Sequence, residues 1–167
     1  NGVNGFWTGV GTTTFDGSGA ESWTDNNPVS QNIGYALIDG AALSLNVTSN
    51  VEANGILIGA NDTLNGGVGN DIRINGDFTN TNTFLAGSSR IVIVGTSTNS
   101  VIDTGGDNLH SLRASTTGGL VSFVESTVIL LDNFEIATGT VNLPTTLLRV
   151  GGSFSNTGGD FAHNNSE

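Results

Sequence analysis

The stretch GANDTLNGGVGNDIRING, residues 59–76, is the sharpest single motif of this chain with a candidate chemistry. Within it, Gly66-Gly67-Val68-Gly69-Asn70-Asp71-Ile72 fits the Gly-Gly-x-Gly-x-Asp-x-apolar nonapeptide that binds Ca²⁺. Asn61-Asp62-Thr63-Leu64 reads as the tail of a preceding unit. Calcium takes roughly six to eight oxygens, which such loops supply from Asp carboxylates and backbone carbonyls. Asp62 and Asp71 are therefore the candidate calcium ligands, and no other cofactor is implied. A working site needs stacked copies of the loop. Here one copy is followed by TVNLPTTLLRVGG at the matching place in the second half, without the glycines or the Asp. A glycine-rich turn between two strands is the competing reading.

Catalytic signals are sparser. His110 and His163 lie in unrelated contexts, and neither a serine-nucleophile motif nor HExxH occurs. Asp16, Asp25, Asp103 and Asp107 would have to be paired by the fold to act on a glycosidic bond. Arg73 and Arg149 each sit between two apolar residues, so on a strand they face away from the core. Thr79, Thr81 and Thr83 alternate on one face but lack a matching run in the second half. Asn46, Asn61 and Asn164 are glycosylation sequons, expected by chance in so Asn/Thr-rich a chain. The chain is expected not to be an enzyme.

Composition narrows the classes further. Of 167 residues only 11% are charged, against about 25% in an average domain. The four basic residues are all arginine, and the formal net charge is −11. Nucleic acid is excluded as a partner, because phosphate binding needs a basic stripe. An anionic lipid surface is disfavoured on the same ground. No apolar run reaches the roughly 20 residues of a membrane span. The lack of cysteine removes disulfides and thiolate metal sites, and the lack of lysine removes Lys–Asn isopeptide cross-links. Stability must come from packing and backbone hydrogen bonds.

These residues must be carried by strands. Apolar residues alternate in short runs, such as ALIDGAALSLNV (36–47), RIVIVG (90–95) and LVSFVESTVILL (120–131). Asn-Gly and Gly-Gly pairs separate the runs. Two phrases then repeat: Gly76-Asp77-Phe78-Thr79-Asn80-Thr81 matches Gly152-Ser153-Phe154-Ser155-Asn156-Thr157 at a shift of 76. A weaker echo joins residues 15–25 to 93–103. The expectation is one all-β domain over 1–167: a parallel β-solenoid of two degenerate repeats, roughly 12–89 and 90–167. Each repeat would hold several coils, with aliphatic ladders inside and Asn and Gly at the corners. An antiparallel β-sandwich is the alternative that the same alternation permits.

The wording Ile/Leu-Arg-Ile/Val-x-Gly-x-Phe-x-Asn-Thr resembles a GxFxNxGxF-type motif of large bacterial cell-surface proteins with β-helical, adhesin-like regions. The opening FWTGVGTTTFDGSGAESWTDNNPVS resembles the Trp-containing start of such modules. The resemblance implies extracellular display, binding or scaffolding, and no catalytic residues. The chain begins at Asn1 and carries at its start the strand wording that does not follow the second phrase. Two expectations fit. Subunits stack head to tail into a surface filament, with Phe6, Trp7, Phe15, Trp23, Phe154 and Phe161 at the joint. Or the chain is a slice of a longer fibrous adhesin. The rival class is a carbohydrate-binding or carbohydrate-cleaving module with surface glycans as partners, which a row of exposed aromatics would favour.

Overall fold

The computed structural model describes residues 11–96 and 99–162. Over these the chain is an all-β parallel solenoid of about seven turns. Phe6, Trp7 and His163 lie outside the described residues. Every strand pair among the described residues is parallel, which overturns the sandwich alternative. A parallel neighbour cannot be reached by a tight hairpin; each strand must wait a full circuit for its partner.

Three stacks of strands form the sides of the coil. The first face is built from β1 (Thr12–Phe15), β3 (Tyr35–Ile38), β6 (Gly55–Ile58), β9 (Phe78–Asn80), β12 (Asn99–Asp103), the second half of β13 (Ser111–Phe123), the second half of β15 (Phe134–Asn142) and β18 (Gly159–Ala162). The second holds β2 (Gly19–Trp23), β4 (Leu43–Val47), β7 (Thr63–Asn65) and β10 (Thr83–Leu85). It continues past Leu109 into β14 (Thr127–Leu130) and β16 (Leu147–Val150). The third holds β5 (Val51–Ala53), β8 (Asp71–Ile74), β11 (Arg90–Thr96), the first halves of β13 and β15, and β17 (Phe154–Asn156).

The circuit is short. Thr12 pairs with Tyr35, Tyr35 with Gly55 and Phe134 with Phe154, so single steps are 23, 20 and 20 residues. The 76-residue echo is therefore not the structural period. Phe78 lies on the first face in β9, and Phe154 lies on the third face in β17. The same strand-and-corner phrase serves two sides, because each side asks the same thing of sequence: an apolar residue inward, a polar one outward, then a tight corner.

The core runs the length of the coil as ladders. Val51, Ile72, Ile91, Leu112 and Phe134 stack in register on the third face, all buried. Leu45, Leu64 and Phe84 do so on the second, with Phe84 edge-on to Phe78 at 5.1 Å. On the first face the ladder Ile38–Ile58 turns polar at Asn80, whose Nδ2 donates to the Thr104 carbonyl at 2.6 Å. Thr104 in turn donates its hydroxyl to Glu125 at 2.9 Å. Asparagines also pair from coil to coil: Asn32 donates to Asn54 at 2.8 Å and Asn65 to Asn46 at 3.2 Å. Corners need left-handed backbone at close quarters. At Gly87, with φ of 60°, an added Cβ would stand 2.2 Å from the Gly67 carbonyl oxygen.

Candidate functional site

The two candidate calcium ligands are placed at different corners, and each is already engaged. Asp62 is fully buried where the chain turns into β7. Its Oδ1 accepts the Leu43 amide and its Oδ2 the Gly40 amide, both at 2.8 Å, from the coil before. Asp71 opens β8 and accepts Arg90 Nε and Nη2 at 2.9 Å each. That two-pronged pair lifts the Arg90 guanidinium above its ordinary pKa, against a smaller downward pull from burial; the fields of Asp71 and Glu135 add to the rise. A cation needs both carboxylates facing one point with free lone pairs. Asp62 and Asp71 thus keep separate partners, and among the described residues no group of three His, Cys, Asp or Glu side chains could hold a metal ion.

What the carboxylates do instead recurs around the coil. Asp107 Oδ2 accepts the Phe84 amide at 2.7 Å and Asn80 Nδ2 at 3.0 Å, repeating the Asp62 device two coils on. Asp77 accepts the Val101 amide at 2.8 Å, and Asp103 the Gly105 amide at 3.0 Å. Asp25 takes amides from Gln31 and Asn27; burial pulls its carboxyl up, but these bonds outweigh it and hold the pKa below the ordinary value. Corners break the strand ladder and leave amides without partners, and ionised carboxylates accept such amides strongly. Much of the acidity of this chain is corner chemistry. The pattern was available in the sequence as Asp at strand ends, but only pairing across coils shows which amides each one serves. Of the four carboxylates considered for glycosidic chemistry, Asp16 and Asp25 belong to the first coil and Asp103 and Asp107 to a later one, with Asp25, Asp103 and Asp107 occupied in this way.

Arg73, Arg90 and Arg113 all stand on the third face. Arg73 pairs with Glu52 at 3.0 Å and Arg113 with Glu135 at 3.5 Å. Val92 lies in register between Arg73 and Arg113 and is 2% exposed although it stands outside the apolar core. The stems of the two arginines are positioned to cover it, as long charged side chains commonly do. Arg149 is exposed on the second face.

Beside this ladder a groove of about 250 Å³ is lined by Asp71, Arg90, His110, Ser111, Asp132 and Glu135 among others. It brings a serine, a histidine and an aspartate together, at 3.2 Å from Ser111 Oγ to His110 Nδ1 and 3.4 Å from Ser111 Oγ to Asp132 Oδ2. A nucleophilic relay runs serine to histidine to carboxylate, with the acid on the far ring nitrogen. Here the serine contacts both the histidine and the aspartate directly, and Asp132 also takes Asn133 Nδ2 at 2.7 Å. The cluster closes a corner.

The aromatic residues expected at a joint divide. Phe15 and Trp23 contact each other at 5.4 Å in the first coil, and Trp23 is 6% exposed. Trp23 is thus core, stacked in register with Val47, and not open surface. Phe154 and Phe161 are 5.1 Å apart at the other end, 49% and 36% exposed, although their register partners Phe134 and Val141 are buried. On the described strands the one aromatic that faces sideways is Tyr35, whose ring lies over Gly55. Burial, then the nearby charge of Asp77, raises its pKa. One tyrosine is not a row, so the feature that would favour a sugar-binding surface is missing from the described strands.

These sites come with no precedent from known proteins: no family model, curated protein or solved structure matches the chain. No helix among the described residues is long and apolar enough to cross a membrane.

Proposed function

We propose that this chain is a structural, non-enzymatic protein of an extracellular surface fibre or adhesin, in which copies stack head to tail through their end coils. One observation carries the reading: Phe154 and Phe161 occupy core-facing positions and are left uncovered. Around them β16, β17 and β18 present parallel strand edges with no neighbour on that side among the described residues, and β1 and β2 do so at the opposite end. A parallel edge is completed by a strand of the same direction, which the first coil of a second copy supplies. Such a contact joins unlike surfaces and does not close, so it propagates as a filament. The extracellular assignment rests on composition: acidic, Asn/Thr/Gly-rich, with neither cysteine nor lysine.

Sedimentation of the double variant Phe154→Asp/Phe161→Asp tests the joint. The native chain is expected to sediment as species that lengthen with concentration, and the variant as a short species that no longer lengthens, with the circular dichroism of the native fold. Unchanged association of a folded variant would remove the end coil from the mechanism.

A further inference from the structure

The three sides of the coil differ in charge, and the second side stands apart. Its outward residues are Ala20 and Ser22 on β2, Ser44 and Asn46 on β4, Thr63 and Asn65 on β7, and Thr83 and Leu85 on β10. They continue with Thr127 and Ile129 on β14 and Leu147 and Arg149 on β16. None is acidic. Glu21, the one carboxylate on these strands, sits at a core-facing register position opposite Leu45. The third side carries Glu52, Asp71 and Glu135, each paired with one of Arg73, Arg90 and Arg113, and the first carries Asp103 and Asp160, unpaired with any arginine among the described residues. At its upper half the second side also exposes leucine: Leu85 and Leu131 at 52% and Leu147 at 48%.

We infer that this side is a lateral docking surface for a second copy of the chain. Two copies that each carry −11 repel at most approaches. The second side is the approach on which no outward strand carboxylate faces the partner and Arg149 offers the one outward charge, of opposite sign to the molecule as a whole. Its size fits a weak, reversible contact. Six strands of three to five residues and the Leu109 bridge span about 34 Å by about 13 Å, or roughly 450 Å² per copy. Two such faces bury about 900 Å², in the range of small, transient interfaces. Leucines among small polar groups on a flat sheet resemble the make-up of such interfaces, an apolar centre with an uncharged surround. The pairing is independent of end-to-end stacking. Together the two contacts would make a fibre at least two rods thick.

The absence of cysteine gives a clean assay, because a single introduced thiol has no competitor. Single variants Ser44→Cys, Thr83→Cys and Thr127→Cys on the second side, with Val101→Cys on the first as control, are oxidised and run on denaturing gels. At least one second-side variant is expected to give covalent dimer at low micromolar protein, and the Val101 variant none. Adding Leu131→Glu is expected to lower that dimer yield about a hundred-fold, since a buried like charge costs several kcal/mol at an interface. Cross-linking that is equal on both sides, unaffected by Leu131→Glu, or absent from every second-side position overturns the assignment. Repeating the assay in the Phe154→Asp/Phe161→Asp background separates the two contacts: lateral dimer persists there if the second side acts alone, and its disappearance would overturn the independence claimed.

Discussion

Asp62→Ala is expected to destabilise the folded chain by about 2–4 kcal/mol, because it orphans the buried Leu43 amide and the half-buried Gly40 amide at once, each worth roughly 1–3 kcal/mol unsatisfied. The Asp62 side chain is wholly enclosed, and its oxygens take the Gly40 and Leu43 amides of the preceding coil. The Leu43 amide is buried, so its desolvation cost remains when the carboxylate is removed. Asp62→Asn keeps one acceptor oxygen and sets an NH₂ against the other amide; its loss should be about half. Urea denaturation followed by circular dichroism measures both. If Asp62→Ala shifted the midpoint no more than an exposed-carboxylate variant such as Asp160→Ala, this carboxylate would not be holding two coils together.

Phe78→Ala and Phe154→Ala are expected to behave differently although they change the same word of the sequence. Phe78 is fully buried between neighbouring coils, in edge contact with Phe84, so truncation should cost about 3–5 kcal/mol. Phe154 is 49% exposed, so in dilute monomer its truncation should cost under about 1.5 kcal/mol. The deficit of Phe154→Ala should appear in assembly, where the joint loses half of its aromatic pair. Equal losses of stability would mean that Phe154 is as enclosed in solution as Phe78. Measuring both variants below the concentration at which the native chain associates keeps the two contributions apart.

The fold was legible in the sequence where backbone chemistry is local. Alternating Val, Ile and Leu, the Asn-Gly and Gly-Gly corners, and the missing helical period lead to parallel coils, and stacked asparagines recur at Asn32–Asn54 and Asn46–Asn65. The period was not legible. The 76-residue echo links β9 to β17, which belong to different sides, because strands on all sides obey one inward–outward rule and resemble one another by that rule alone. The glycine-rich motif at 66–72 is open to two readings for a related reason. Glycine before aspartate marks any tight corner whose amides need an acceptor, and here Arg90 answers Asp71 while backbone amides answer Asp62. Which amides a carboxylate serves depends on the coil 19 to 27 residues away, as Leu43 with Asp62 and Asn80 with Asp107 illustrate, and that pairing is not written locally. Trp23 was misplaced likewise, since an aromatic near a coil end can turn in or out, and here it packs on Phe15.

Electron microscopy of the isolated chain at increasing concentration tests most directly the claim that an open coil end propagates the rod. Unbranched filaments are predicted, with parallel strands perpendicular to the axis and a diffraction spacing of about 4.7–4.9 Å along it. Single particles no longer than one seven-coil rod, at every concentration the chain tolerates, would contradict it.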